Sequence, residues 1–275
     1  MADWNKITER GNVEDRRMNT PVALAGGGIG TILLLMGITY ALGGNPLDVL
    51  NQIDPAQFQT QVQEQDTTQF QGQDAYETFV STVLGSTNSY WKQVLSSQHV
   101  SYTSPKLVLF RRATESGCGG AQSYVGPHYC PNDETIYLDD TFFEELTQKF
   151  GAKGGDVAQS YVIAHEVGHH VQDILGNLDA GSQSNKNSIR TELQADCYAG
   201  LWLGSLKSQA VLEPNEISEA LDAAAAVGDE RIQKETLGRV QPESWTHGSS
   251  AQRVAAFNHG YESGVFEKCS GDNTL

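Results

Sequence analysis

Three of the chain's seven histidines fall in one stretch, SYVIAHEVGHHVQDILG, residues 160–176. His165, Glu166 and His169 fit the spacing HExxH. On a helix, positions i and i+4 share a face, so the two imidazoles can reach one Zn²⁺ at ~2.0–2.1 Å. Glu166, the next residue after His165, places a carboxylate where it can take a proton from a water on that ion. The chemistry available to such a set is hydrolysis, with a polarised carbonyl, an activated water and a nearby base.

A zinc ion that does chemistry keeps three protein ligands and one open position. The longer pattern HExxHxxGxxH is excluded, because its glycine and last histidine are replaced by Gln172 and Leu175. The remaining source is an acid on a following helix. SIRTELQADCYAGLWLGSL supplies Glu192 as the third ligand, with Asp196 one turn further on the same face. Asp196 can then accept a hydrogen bond from a ligand imidazole and fix its ring. His170 points about 100° away from His169 around the helix and reads as a supporting or packing residue. His99, His128 and His259 have no local partner and read as structural or surface residues. For the negative charge of a tetrahedral intermediate, His247 in WTHGSSAQR is the candidate catalytic aid, with Tyr198 as the alternative. The run ETIYLDD is a candidate edge strand for pairing with an extended peptide.

Helices must carry most of these residues. Apolar residues at helical spacing predict helices over 156–175, 188–208, 214–237 and 249–262, another beginning near Asp74, and a short one in TFFEELTQKFG closed by Gly151. KLVLFRR and TIYLDD read as short strands. Few strands among many helices predict an α+β fold, predominantly helical.

The segment VALAGGGIGTILLLMGITYAL, residues 22–42, carries no charge. As a helix it would span ~31 Å, enough for a bilayer core of ~30 Å. Lys6, Arg10, Arg16 and Arg17 precede it, and no further basic residue appears until Lys92. The positive-inside rule then predicts a cytoplasmic tail (1–21), a transmembrane helix (22–42), a Gln-rich polar tether (43–73) and an extracytoplasmic domain (74–275). Four cysteines suit an oxidising compartment, and the expected pairs are Cys118 with Cys130 and Cys197 with Cys269. With 18 basic against 34 acidic residues the net charge is −16, which argues against a nucleic-acid partner.

HEVGHH followed by ELQAD resembles the gluzincin arrangement of metallopeptidases. The whole chain is similar to the neutral zinc metallopeptidases of bacteria, an inner-membrane-anchored family. The likeness runs through GNVEDRR, GPHYCP, IYLDDTFF, HEVGHHVQ, ELQADCYAGLW and THGSSAQR, and spares only the Gln-rich tether. It implies a zincin-like catalytic domain, zinc as cofactor and peptidase activity on a peptide or protein substrate. A reading from a different class is a zinc-stabilised binding module in a membrane assembly, without significant hydrolysis. Glu166 favours the enzyme, since a structural zinc has no use for a base beside it.

Overall fold

In a computed structural model of the chain, the described residues are 1–17, 74–122, 126–178, 184–213 and 215–270. Asp74 accepts the Glu77 N–H and caps helix α1 (Ala75–Ser97). The middle of α1 is buried on every side from Val80 to Asn88, so it runs through the core rather than along the surface. Beside it lies a four-stranded sheet of β1 (Val13–Asp15), β2 (Lys106–Phe110), β5 (His128–Cys130) and β6 (Thr135–Asp139), in the order β1-β2-β6-β5. The first three strands in that order are parallel, and β5 runs antiparallel to β6. The LVLF run of β2 is buried throughout, as an inner parallel strand requires. A hairpin of β3 (Ala113–Ser116) and β4 (Gly119–Gln122) is tied to β5 by the expected Cys118–Cys130 disulfide.

The helical half follows, with α2 (Phe142–Gln148), α3 (Asp156–Ile174), α4 (Asn185–Ser205), α5 (Ile217–Ala226), α6 (Asp229–Leu237), α7 (Ser250–Ser263) and α8 (Glu267–Ser270). The mixed α+β class is as expected. The core is aromatic between layers: Trp91 of α1 meets Tyr198 of α4 edge-on at 5.0 Å, and Trp202 is fully buried nearby. Two contacts bring α7 onto α4. A Cβ on Gly200 would lie 2.1 Å from the Phe257 carbonyl oxygen, and one on Gly260 would lie 2.0 Å from that of Cys197. Only glycine allows this backbone approach. The Cys197–Cys269 disulfide, also as expected, pins α8 to α4.

Three expectations are corrected. The TIYLDD strand is not an edge. It becomes β6, buried at all five positions between β2 and β5, and the edge beside it is β5. The helix expected over 214–237 is two helices. Gly228 takes an extended conformation between them and packs so tightly that an added Cβ would lie 2.3 Å from the Ser250 nitrogen.

The third correction concerns residues 1–17, which are not a tail separate from the domain. β1 pairs with β2, Gly11 exchanges hydrogen bonds with Ser81 of α1, and Ile7 is buried. Trp4 stacks on Trp202 and donates to Asp156 at 2.8 Å. β1 and β2 are neighbouring strands of one sheet, so residues 1–17 are part of the domain. The expected span at 22–42 and tether at 43–73 lie outside the described residues, and among the described residues no helix is long and apolar enough to cross a membrane.

Candidate metal centre

The apolar positions of α3 hold it in the core, and its buried run extends from Ser160 to Gly168. His165 and His169 leave one face of it, with ring centroids 4.7 Å apart. α4 crosses that face closely because Gly168, between the two histidines, has no side chain. A Cβ there would lie 3.1 Å from the Ala195 backbone. This approach delivers Glu192. One of its oxygens lies 3.1 Å from His165 Nε2 and the other 3.5 Å from His169 Nε2.

These residues fit a zinc ion. Tetrahedral ligands ~2.0–2.1 Å from one ion stand about 3.3–3.4 Å apart, close to both distances. The two nitrogens and one oxygen all lie within 4.8 Å of one another, and they form the one such cluster among the described residues. Two imidazoles and a carboxylate are a donor set that zinc accepts. The potential favours a cation too. Burial opposes charge on His165, yet Asp196 and Glu192 outweigh it and raise its pKa to about 10. Burial would raise the Glu192 pKa, but His169, His165 and Arg253 hold it well below the usual carboxylate range. Glu166, 6% exposed, has an oxygen (Oε2) that is buried without a partner among the described residues. An orphaned carboxylate oxygen beside a cluster of ligands is costly unless something polar meets it there.

Asp196 lies against the His165 ring. Fully buried, it accepts from His165 Nδ1 at 2.9 Å and from the Tyr161 hydroxyl. The sequence reading gave no role to Arg253, on the first turns of α7. Its guanidinium donates to both Asp196 oxygens, at 2.8 and 2.9 Å, and stands 3.8 Å from Glu192. Burial opposes the Asp196 charge, but Arg253 and then His165 outweigh it and lower its pKa.

His247 lies close enough to Glu192 and Arg253 for their charges to act on its ring. Gly248 packs on α4 between Ile189 and Leu193, so the residue before it sits against the turn that carries Glu192. Asp229, another residue the sequence reading missed, holds the segment. One of its oxygens accepts the backbone N–H groups of Thr246, His247 and Gly248, and the other faces His247 Nδ1 at 3.1 Å. That hydrogen bond raises the His247 pKa.

Tyr198 is not in the site. Its ring is packed between Trp91 and Phe266 in the core. His170 is a packing residue, bound to the Thr103 carbonyl at 2.6 Å and to the Tyr129 hydroxyl.

The family described as "Putative neutral zinc metallopeptidase" matches residues 2–272. An Escherichia coli (strain K12) protein, "Uncharacterized protein YpfJ", is 41% identical over 97% of this chain and 97% of its own length. "Uncharacterized protein Mb2605" of Mycobacterium bovis is 48% identical over 65% of this chain and 64% of its own. No solved structure matches.

Proposed function

The chain belongs to the neutral zinc metallopeptidase family, and from that premise we propose that it is a zinc-dependent peptidase in which Glu166 is the general base. The observation that carries this reading is the reach of both Glu192 oxygens to the Nε2 atoms of His165 and His169, with the adjacent Glu166 buried and its Oε2 without a partner among the described residues. Zinc held by those three residues supplies Lewis acidity toward the scissile carbonyl and a lowered pKa for a water.

The chain's own residues do the rest. Glu166, buried but uncommitted through Oε2, takes the water's proton and passes it to the leaving amine. Asp196 and Arg253 keep the His165 ring oriented. His247, with Nδ1 committed to Asp229, turns Nε2 outward as a donor for the developing oxyanion. β5 is the strand on which an extended substrate would add.

A structural zinc would be closed by a fourth protein ligand, and the cluster has three among the described residues, which favours the enzyme over the binding module. The two disulfides support an oxidising compartment outside the cytoplasm. A membrane anchor at 22–42 is compatible with the sheet only if the chain leaves and re-enters the domain on one side.

The test compares zinc content and cleavage of a denatured protein. Glu166→Gln should keep its zinc and lose about 10²–10⁴-fold in rate, while Glu192→Gln should lose metal and activity together. Zinc-loaded wild type that cleaves nothing in a diverse peptide library would leave the binding module as the better reading.

A further inference from the structure

The two imidazoles of the site are turned by different kinds of partner. His165 donates to a carboxylate, whereas His169 Nδ1 faces the side-chain oxygen of Gln172 at 2.8 Å. We propose that Gln172 is the positioning residue for His169, a neutral brace that decides which ring nitrogen meets the metal. The consequence for zinc rests on the peptidase reading above, but the geometry does not.

The orientation of the Gln172 amide is forced by acceptors at both ends of a chain. Gln194 donates through Nε2 to the Cys269 carbonyl oxygen at 2.9 Å, and a carbonyl can only accept. The Gln194 oxygen therefore faces Gln172 Nε2, at 3.0 Å. The same Gln172 nitrogen donates to the Thr191 carbonyl at 2.7 Å. Both of its hydrogens are then used, and its oxygen can only accept. The proton of His169 must sit on Nδ1, and the lone pair on Nε2 turns toward Glu192. Gln172 is 0% exposed, so water cannot substitute for it. The far end of the chain is fixed as well, because Cys269 is disulfide-bonded to Cys197, on the helix that carries Glu192.

Neutrality has its own consequence. The Asp196 charge is matched by Arg253, and Glu192 with Glu166 matches a divalent cation. A carboxylate in place of Gln172 would leave the buried site with an unmatched negative charge, which is costly.

The experiment uses the full chain, stripped of zinc. Nitrogen NMR of the imidazoles, at a pH where the His169 ring is neutral, should show the proton on Nδ1. In Gln172→Met the proton should redistribute to Nε2, and zinc affinity, measured by chelator competition, should weaken about tenfold to a hundredfold. Gln194→Met removes one of the two acceptors that fix the Gln172 amide and leaves the Thr191 carbonyl in place, so it should give the same tautomer change in weaker form. That variant decides the matter if Gln172→Met does not fold. A wild-type ring protonated on Nε2, or variant affinity within about threefold of wild type, would overturn the proposal. Wild type that binds no zinc but keeps the Nδ1 proton would count against the peptidase reading and leave the brace standing.

Discussion

Arg253 grips Asp196 through two nitrogens, at 2.8 and 2.9 Å, beneath the His165 ring. Both partners are almost wholly enclosed, with the Asp196 side chain at 0% and the Arg253 side chain at 4% exposure. Removing one member of a buried pair strands the other charge in a medium that cannot solvate it. Arg253→Met should therefore cost about 3–5 kcal/mol in the zinc-free protein, and adding Asp196→Asn should recover much of that loss. Urea unfolding of the two variants and wild type gives the comparison. A loss below about 1 kcal/mol for the single variant would show that the pair is not what holds α7 against α3 and α4.

Arg17 and Asp74 flank the segment that contains the apolar run, yet their side chains are 3.0 Å apart. The two described segments that bound residues 18–73 therefore meet at one place on the domain. Single cysteines at Asp3 and Glu262, both exposed on the surface, report the two sides of that junction. In intact cells a membrane-impermeant thiol reagent should label both or neither. Labelling of Glu262→Cys alone would restore the cytoplasmic tail predicted from the basic residues and contradict the sheet.

Glu14 of β1 is bonded to Arg16, at 2.6 Å, and to Lys106 of β2. Those two cations lower its pKa from 4.5 to about 2, Arg16 contributing first. The folded-state pKa lies below the unfolded one, so this stabilisation is complete above about pH 4.5 and is lost as pH falls through about 2. Glu14→Gln should lower the melting temperature at pH 7, and the gap to wild type should close between those two values. A gap that persists unchanged at pH 2 would place the effect elsewhere.

The residues of the candidate metal cluster were legible because they obey local geometry. His165 and His169 are one turn apart, and so are Glu192 and Asp196, and each pair needs only its own helix to be read. Arg253, Gln172 and Asp229 were not legible, because each acquires its role through a tertiary approach. Arg253 reaches Asp196 only because Gly200 and Gly260 let α4 and α7 touch, and nothing in AQRVAAF announces that. Gln172 registered only as the glycine that was missing. β1 is three residues long and polar (VED), and the basic residues around it drew a topological reading instead. The strand β5, HYC, is equally short and has no alternation to detect.

The last prediction separates His247 from the metal ligands. Asp229 of α6 gathers three backbone N–H groups on one oxygen and keeps the other for His247 Nδ1, so the ring is held by a residue outside the His165, His169 and Glu192 cluster. The hydrogen bond to Asp229 raises the His247 pKa, which keeps more of the ring protonated near neutrality and ready to donate from Nε2. If that donor meets the oxyanion, His247→Ala should lower kcat by about 10²–10³-fold, in the range of other single oxyanion donors, with zinc content unchanged. Asp229→Asn should act through the same ring. It removes the charge that raises the His247 pKa, so the alkaline limb of the kcat–pH profile should move to lower pH while the acidic limb stays in place. A residue with a merely structural role would lower kcat at every pH without moving either limb. Profiles of wild type and Asp229→Asn, taken alongside zinc content, therefore decide the point, and superimposable alkaline limbs would remove His247 from the reaction.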